Sequence, residues 1–321
     1  MKKILTLTFN PTIDAASEAE VVRPTHKVRT SDESFHPGGG GINVARVIHR
    51  LGGNVSALYA CGGVMSNVLK HLLDKRNINS IVVPIEGNTR INNVIHERST
   101  GMEYRFVAQG PVLSENEWEK IILETDKLDW DWLVVSGSLP RGVPVNVYDT
   151  LIEMTQKRGA EIALDTSGAS LKHIMNTGGL TLIKPSQGEF ETCTGKQYES
   201  AHDIAVDAQK LVKKGISKII AVTLGHQGAV LATENNMLYL AAQPVRVISA
   251  SGAGDSFVGG MIYALAKGDD TETAFRLATA CGTAAVTEKG NGLCQPEMIQ
   301  KIYKQLTNKD THQLSVLIEP E

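Results

Sequence analysis

The chain has 321 residues, 42% of them hydrophobic and 21% charged, which is enough to bury a large core in one α/β domain or two smaller ones. A formal net charge of −3 without any long Lys/Arg run argues against nucleic acid as a partner, so any anionic ligand must be held by local cations. No stretch approaches the roughly 18 apolar residues of a membrane span, and Cys61, Cys193, Cys281 and Cys294 form no CxxC pair; the chain reads as a soluble cytoplasmic protein with reduced thiols.

The opening MKKILTLTFNP breaks its apolar run at Asn10 and Pro11, too early for a signal peptide, and predicts a buried strand over residues 3–9. Asp14 falls just past the end of that strand, where open α/β sheets bind ligands, although an Asp bonded to its own turn is the plainer alternative. Residues 15–36 leave the βα rhythm, and the spacing of Lys27 and Arg29 predicts both on one face of a strand. Pro37 and four glycines, Gly38 to Gly41, then open a helix that closes at Gly52 and Gly53. Gly39 and Gly40 make a close-approach site there, and Asn43 offers an amide to a sugar hydroxyl. Neither a GxGxxG fingerprint in the right place nor a GxxxxGK[ST] loop is present, which excludes a P-loop and disfavours a dinucleotide fold.

Alternation resumes with a strand near 54–60, a helix near 65–75 and a strand near 80–84. Residues 88–108 predict a hairpin turning at Ser99 to Gly101, which with residues 15–36 forms a small β lid. Lys27, Arg90 and Arg105 on this lid suggest a phosphate clamp. Beyond it come a helix at 114–127, a strand running into the Ser136 to Pro140 loop, a helix at 146–157, the strand EIALD, a short helix at 169–176 and the strand TLIK. Lys184 ends that last strand within reach of a nucleotide phosphate. Helices at 187–194 and 200–214 precede a strand–turn–strand whose Thr223, Gly225 and Gly228 frame a nucleotide.

From residue 245 the sequence predicts a strand, a turn through Ser251, Gly252, Ala253 and Gly254, and a helix over 254–267 with Asp255 at its mouth. A helix start leaves amides unpaired and carries partial positive charge, so it attracts phosphate. A carboxylate beside such an anion hole makes chemical sense if a hydroxyl must lose its proton while attacking phosphorus. Helices at 271–288 and 295–307 follow, and the tail from 309 to 321, including SVLIEP, has no assigned role.

Together, PGGGGINVAR, SGSLP and SGAGDSFVGG resemble the signatures of the PfkB, or ribokinase-like, family of sugar kinases over about residues 1–307. The resemblance implies one kinase domain over 1–308: a three-layer α/β fold with a mostly parallel central sheet and the β lid inserted at about 15–36 and 88–108. It also implies Asp14, Gly39, Gly40 and Asn43 on the sugar, with Lys27, Arg90, Arg105 and Ser138 around a sugar phosphate. Lys184, Ser186, Thr223, Gly225 and Gly228 are implied for ATP, Gly252, Ala253 and Gly254 for the anion hole, Asp255 for the base, and Glu189 for an indirect part in holding Mg²⁺. Two departures stand out: the family's NxxE motif begins with Ser186 here, and its DTxG reads Ser249, Ala250, Ser251, Gly252, which weakens the carry-over of a K⁺ site.

The absence of a lysine from the glycine run, with Lys27 and Arg105, resembles the members that phosphorylate O1 of fructose 6-phosphate. Kinases of tagatose 6-phosphate or fructose 1-phosphate are the nearest rivals; a silent sugar-phosphate or nucleotide sensor and an oxidoreductase are more distant ones. A lid with an exposed edge also predicts a homodimer.

Overall fold

The computed structural model describes residues 1–306 and the backbone of 311–313. One large sheet and one small sheet account for all its strands. The chain begins with β1 (Ile4–Thr8), then crosses to the small sheet with β2 (Thr12–Ala19) and β3 (Thr30–Gly38). Helix α1 (Gly40–Arg50), β4 (Val55–Gly62), α2 (Val64–Asp74) and β5 (Asn79–Ile85) return it to the large one. The hairpin β6 (Arg90–Glu97) and β7 (Glu103–Phe106) completes the lid, in the order β3-β2-β6-β7.

Regular alternation follows through α3 (Glu115–Lys127), β8 (Trp132–Ser136), α4 (Val147–Arg158), β9 (Glu161–Asp165), α5 (Gly168–Thr177) and β10 (Leu180–Ile183). After α6 (Gln187–Thr194) and α7 (Ala201–Lys213), β11 (Ser217–Thr223) ends the parallel part. Three antiparallel strands extend that edge: β12 (Ala229–Ala232), β13 (Met237–Leu240) and β14 (Thr311–Gln313). Helices α8 (Ala253–Lys267), α9 (Thr271–Ala285) and α10 (Pro296–Gln305) pack on one face. The full order of the large sheet is β14-β13-β12-β11-β10-β9-β8-β1-β4-β5.

The period of two along each strand divides the interior into two cores. In β8, Trp132 and Val134 join the core beneath α1, α8 and α9, while Leu133 and Val135 join the opposite one with α4 and α7. Ile219 and Ala221 of β11 likewise face one way, Ile220 and Val222 the other. Helices on both faces of a largely parallel sheet are the expected architecture.

Three expectations are corrected. Lys27 and Arg29 lie in the irregular 21–29 segment between β2 and β3, because spacing alone cannot create a strand without paired neighbours. Residues 245–248 form no strand; Val247 is 64% and Ile248 41% exposed, so the apolar run covers a rim instead of entering the sheet. The tail was left without a role, yet its residues 311–313 pair with β13; SVLIEP lies outside the described residues. The strand β13 itself went unpredicted.

Candidate active site

The carboxyl ends of the parallel strands converge on one rim. Beyond β1 the chain turns through Asn10 toward Asp14, β8 ends at Ser136, β9 ends at Asp165, and Lys184 and Thr223 stand at the ends of β10 and β11. Helix α8 starts over this rim. Its cap, Gly252, has φ 73, and a Cβ there would meet Leu293 Cδ2 at 2.3 Å and Asn291 Oδ1 at 2.9 Å. Only glycine satisfies both demands. No side chain caps the helix, so its first-turn amides remain open to an anion.

Asp255 sits in that first turn. Asn43 Nδ2 donates to its Oδ2 at 2.8 Å, and the Ser136 hydroxyl lies 3.5 Å from its Oδ1. Burial, seconded by the neighbouring Asp165 carboxylate, pushes Asp255 up to about 7, against the pull of Asn43 and Lys184. A carboxyl poised there can hold or release a proton in the neutral range. Lys184 is buried and its Nζ lies 3.1 Å from Asp165 Oδ1. Burial works to discharge the lysine, but the adjacent Asp165 carboxylate outweighs it and holds the ammonium charged. Lys184 Nζ also comes within 3.5 Å of where a Cβ on Gly254 would stand, so the cation faces the turn directly.

On the other side, Asp14 is 9% exposed and accepts from Asn291 Nδ2 at 2.5 Å and Asn92 Nδ2 at 3.1 Å. Burial raises its pKa despite these donors. Thus Asp14, Asn43 and Asp255 are brought together, with Asn291 touching the first two.

Thr223, Gly225 and Gly228 line a cavity of about 520 Å³ whose floor includes Ala253 and Gly254. It therefore opens onto the α8 start. Ser186 pairs with Thr223 through an isolated bridge, and its hydroxyl and N–H both donate to Glu189 Oε2 at 2.8 Å, capping α6. Serine in place of the family's asparagine is thereby explained locally: Ser and Glu three residues apart form a capping box.

The lid contributes unevenly. Arg105 reaches down from β7 to Ser251 Oγ at 3.3 Å, at the very turn that starts α8. Arg90 lies near Asp14 but donates to the carbonyls of Ala108 and Asn10 at 2.7 and 2.9 Å, tying β6 to the body. Lys27 and Ser138 are exposed and make no contact with these groups.

The glycine run is required by packing within the protein itself. A Cβ on Gly38 would meet Asp14 Oδ2 at 2.1 Å, on Gly39 Thr8 Cγ2 at 2.9 Å, on Gly40 Ser136 Oγ at 2.3 Å and on Gly41 Thr8 Oγ1 at 2.5 Å. The run lets α1 settle against β1 and β8 so that Asn43 reaches Asp255. Sequence reasoning also missed Arg46, Asn92, Ser136, Asp165 and Asn291 as site residues. Ser136 and Asp165 carried the strand-end signal already used for Asp14, whereas Asn291 lies in a loop with no local pattern.

A family profile described as pfkB family carbohydrate kinase matches residues 7–298. ATP-dependent 6-phosphofructokinase isozyme 2 of Escherichia coli (strain K12) is 37% identical over 310 residues, spanning 96% of this chain and 100% of that protein. The solved structure of phosphofructokinase-2 from Escherichia coli in complex with fructose-6-phosphate matches with a TM-score of 0.88 at 35% identity, covering 95% of this chain and 99% of that one. The tetrameric inhibited form of phosphofructokinase-2 from the same organism matches at 0.89 and 36% identity, with the same coverage of both chains.

Proposed function

The chain belongs to the pfkB family of carbohydrate kinases, and we propose on that premise that it is an ATP-dependent 6-phosphofructokinase. It transfers the γ-phosphoryl group of ATP to O1 of fructose 6-phosphate, giving fructose 1,6-bisphosphate and ADP. The observation that carries this reading is Asp255. It is a carboxyl raised to about 7, held by Asn43 in front of the α8 amides, with Asp14 on one side and the 520 Å³ cavity on the other.

In this reading Asp255 takes the proton of the C1 hydroxyl as O1 attacks the γ-phosphorus and the bond to ADP breaks. The amides at 252–254 and Lys184 hold charge on the transferring oxygens. Asp14 and Asn43 orient the sugar hydroxyls, with the backbone at Gly39 and Gly40 setting their distance. Arg105 receives the 6-phosphate, and Arg90, Lys27 and Ser138 are kept beside it on the family resemblance alone. Thr223, Gly225 and Gly228 hold the nucleotide beside Ser186.

Mg²⁺ supplies charge neutralisation to the triphosphate. Among the described residues no cluster of three or more His, Cys, Asp or Glu could hold a metal alone, which suits an ion carried in on ATP. Glu189, which accepts from Ser186 through Oε2, would take an indirect part in holding that ion. The 249–252 loop departs from the family's DTxG, and exchanging K⁺ for Na⁺ in the assay tests whether it serves a monovalent cation.

We further propose a cytoplasmic homodimer, one kinase domain per subunit with the lid at its interface. Phe35, Ala15, Asn93 and Phe106 lie in one row across the lid, with Ile91 on the same face. Phe35, Ile91 and Phe106 are 51%, 37% and 57% exposed, an apolar face suited to a second lid.

The test is ADP release with Mg-ATP and, separately, fructose 6-phosphate, tagatose 6-phosphate, fructose 1-phosphate and fructose. The highest kcat/KM is expected for fructose 6-phosphate. Preference for fructose 1-phosphate would overturn the clamp, and no turnover would overturn the enzyme itself.

A further inference from the structure

We propose that Arg46 is a positioning residue of the phosphotransfer: buried beneath the site, it dictates which end of the Asn43 amide faces Asp255. This inference rests on the reading of Asp255 as base. Arg46 is only 1% exposed, on the turn of α1 after Asn43. Its Nη1 donates to Asn43 Oδ1 at 3.0 Å and to Pro37 O at 2.9 Å, and its Nη2 to Asn291 O at 3.0 Å. Asn291 Nδ2 supplies a second donor to Asn43 Oδ1 at 3.3 Å.

The chemistry allows one arrangement. A guanidinium has donors only, and an ionised carboxylate only acceptors. An amide between them satisfies both when its oxygen faces Arg46 and its nitrogen faces Asp255. Turned over, it would set oxygen against carboxylate and NH₂ against both the guanidinium and the Asn291 amide, with three hydrogen bonds lost. Arg46 therefore forces Asn43 to donate to Asp255, and a donor stabilises the charged base.

A structural role alone does not explain the residue. Burying a guanidinium is costly, and burial pushes Arg46 down to about 9. Its neighbour Arg50 already ties the same loop, donating to Gly292 O at 2.8 Å and Cys294 O at 3.0 Å, without touching Asn43. The charges that face Asp255 are Asp165, Lys184, Asp14 and Arg46; those that face Arg46 are Arg50, Arg76, His36, Asp14 and Asp255. Removing Arg46 takes a cation and an amide lock from a site that then holds three carboxylates against one lysine. The base then keeps its proton to higher pH.

The experiment compares R46M, R46K, R50M and D255N in the full chain, by kcat, both KM values and the pH profile of kcat. For R46M, kcat should fall on the order of tenfold and its acidic limb should move up by about half a unit or more, with KM for ATP little changed. R46K, which keeps a charge and donors, should restore the limb. R50M should leave it in place. A wild-type limb in R46M, or an equal shift in R50M, would reduce Arg46 to a loop tie. Should R46M fail to fold, N43A removes the amide that Arg46 orients, and an unshifted limb there overturns the proposal. D255N separates the two readings: retained turnover would remove Asp255 as base, whereas an inactive D255N beside an unshifted R46M would remove the role of Arg46 alone.

Discussion

The raised proton affinity of Asp255 bears on its proposed role and on stability alike. In the proposed role of base it must be ionised, so kcat should fall about tenfold per pH unit below about 7 and level off above it, measured in steady-state assays. The same shift works against the fold. A folded-state value raised from 3.8 means that the stability associated with the neutral carboxyl is lost as pH rises from about 4 through about 7. Asp255→Asn removes both effects. Turnover should drop roughly 10²-fold or more, while the melting temperature at about pH 8 should exceed that of the wild type by a few degrees, the gain vanishing toward about pH 4. Near-normal turnover would dismiss the base. The lid arginines should separate in the same way. Among the described residues the Arg105 side chain pairs with Glu103 and Ser251, so Arg105→Ala should raise KM for fructose 6-phosphate about tenfold and leave melting nearly unchanged. Arg90→Ala should lower the melting temperature as well, because it unties the Ala108 and Asn10 carbonyls.

At the scale of elements, the glycines make a sharper test than the side chains. A Cβ at residue 40 would lie 2.3 Å from Ser136 Oγ and 2.7 Å from Gly137 N, and the backbone partner cannot yield. Gly40→Ala should therefore cost about 1–3 kcal/mol of stability and lower kcat by pushing α1 off β8, read by denaturant melts and the standard assay. Gly188 of α6 has nothing within 4 Å, and Gly188→Ala should stabilise by up to about 1 kcal/mol with kcat unchanged. The contrast shows what the sequence disclosed. Helix α1, the hairpin and the α8 start were legible because glycine runs, alternation and a first-turn Asp are local signals. Their packing reasons were less so: the run at 38–41 reads as room for a ligand, and it is also room for Asp14, Ser136 and Thr8. Asn291 was illegible because it acts on a partner 277 residues away, Asp14, and Arg46 because a charged residue in a helical pattern gives no sign that it is buried. The strand β13 escaped because four residues give too short an alternation, while Val245 to Ile248 misled because an apolar run can edge a cavity as readily as enter a sheet.

For the whole molecule, the lid joins the candidate site to an exposed apolar face. Its strands β2 and β6 meet the site through Asp14 and Asn92, and β7 brings Arg105 to the α8 turn. Its other face shows Phe35, Ile91 and Phe106 to solvent. A second lid packed on the apolar row would bury it and brace the lids of both subunits. The wild type should therefore run as a dimer in size-exclusion chromatography with light scattering. The pair Phe35→Glu and Phe106→Glu, placing charges in that row, should give a monomer. Because Arg105 rides on the lid while Thr223, Gly225 and Gly228 do not, the monomer should show a KM for fructose 6-phosphate raised about tenfold or more with KM for ATP little changed. Equal losses for both substrates would mean that the lid and the nucleotide cavity answer to one rigid body, and a dimer surviving both charges would place the interface elsewhere.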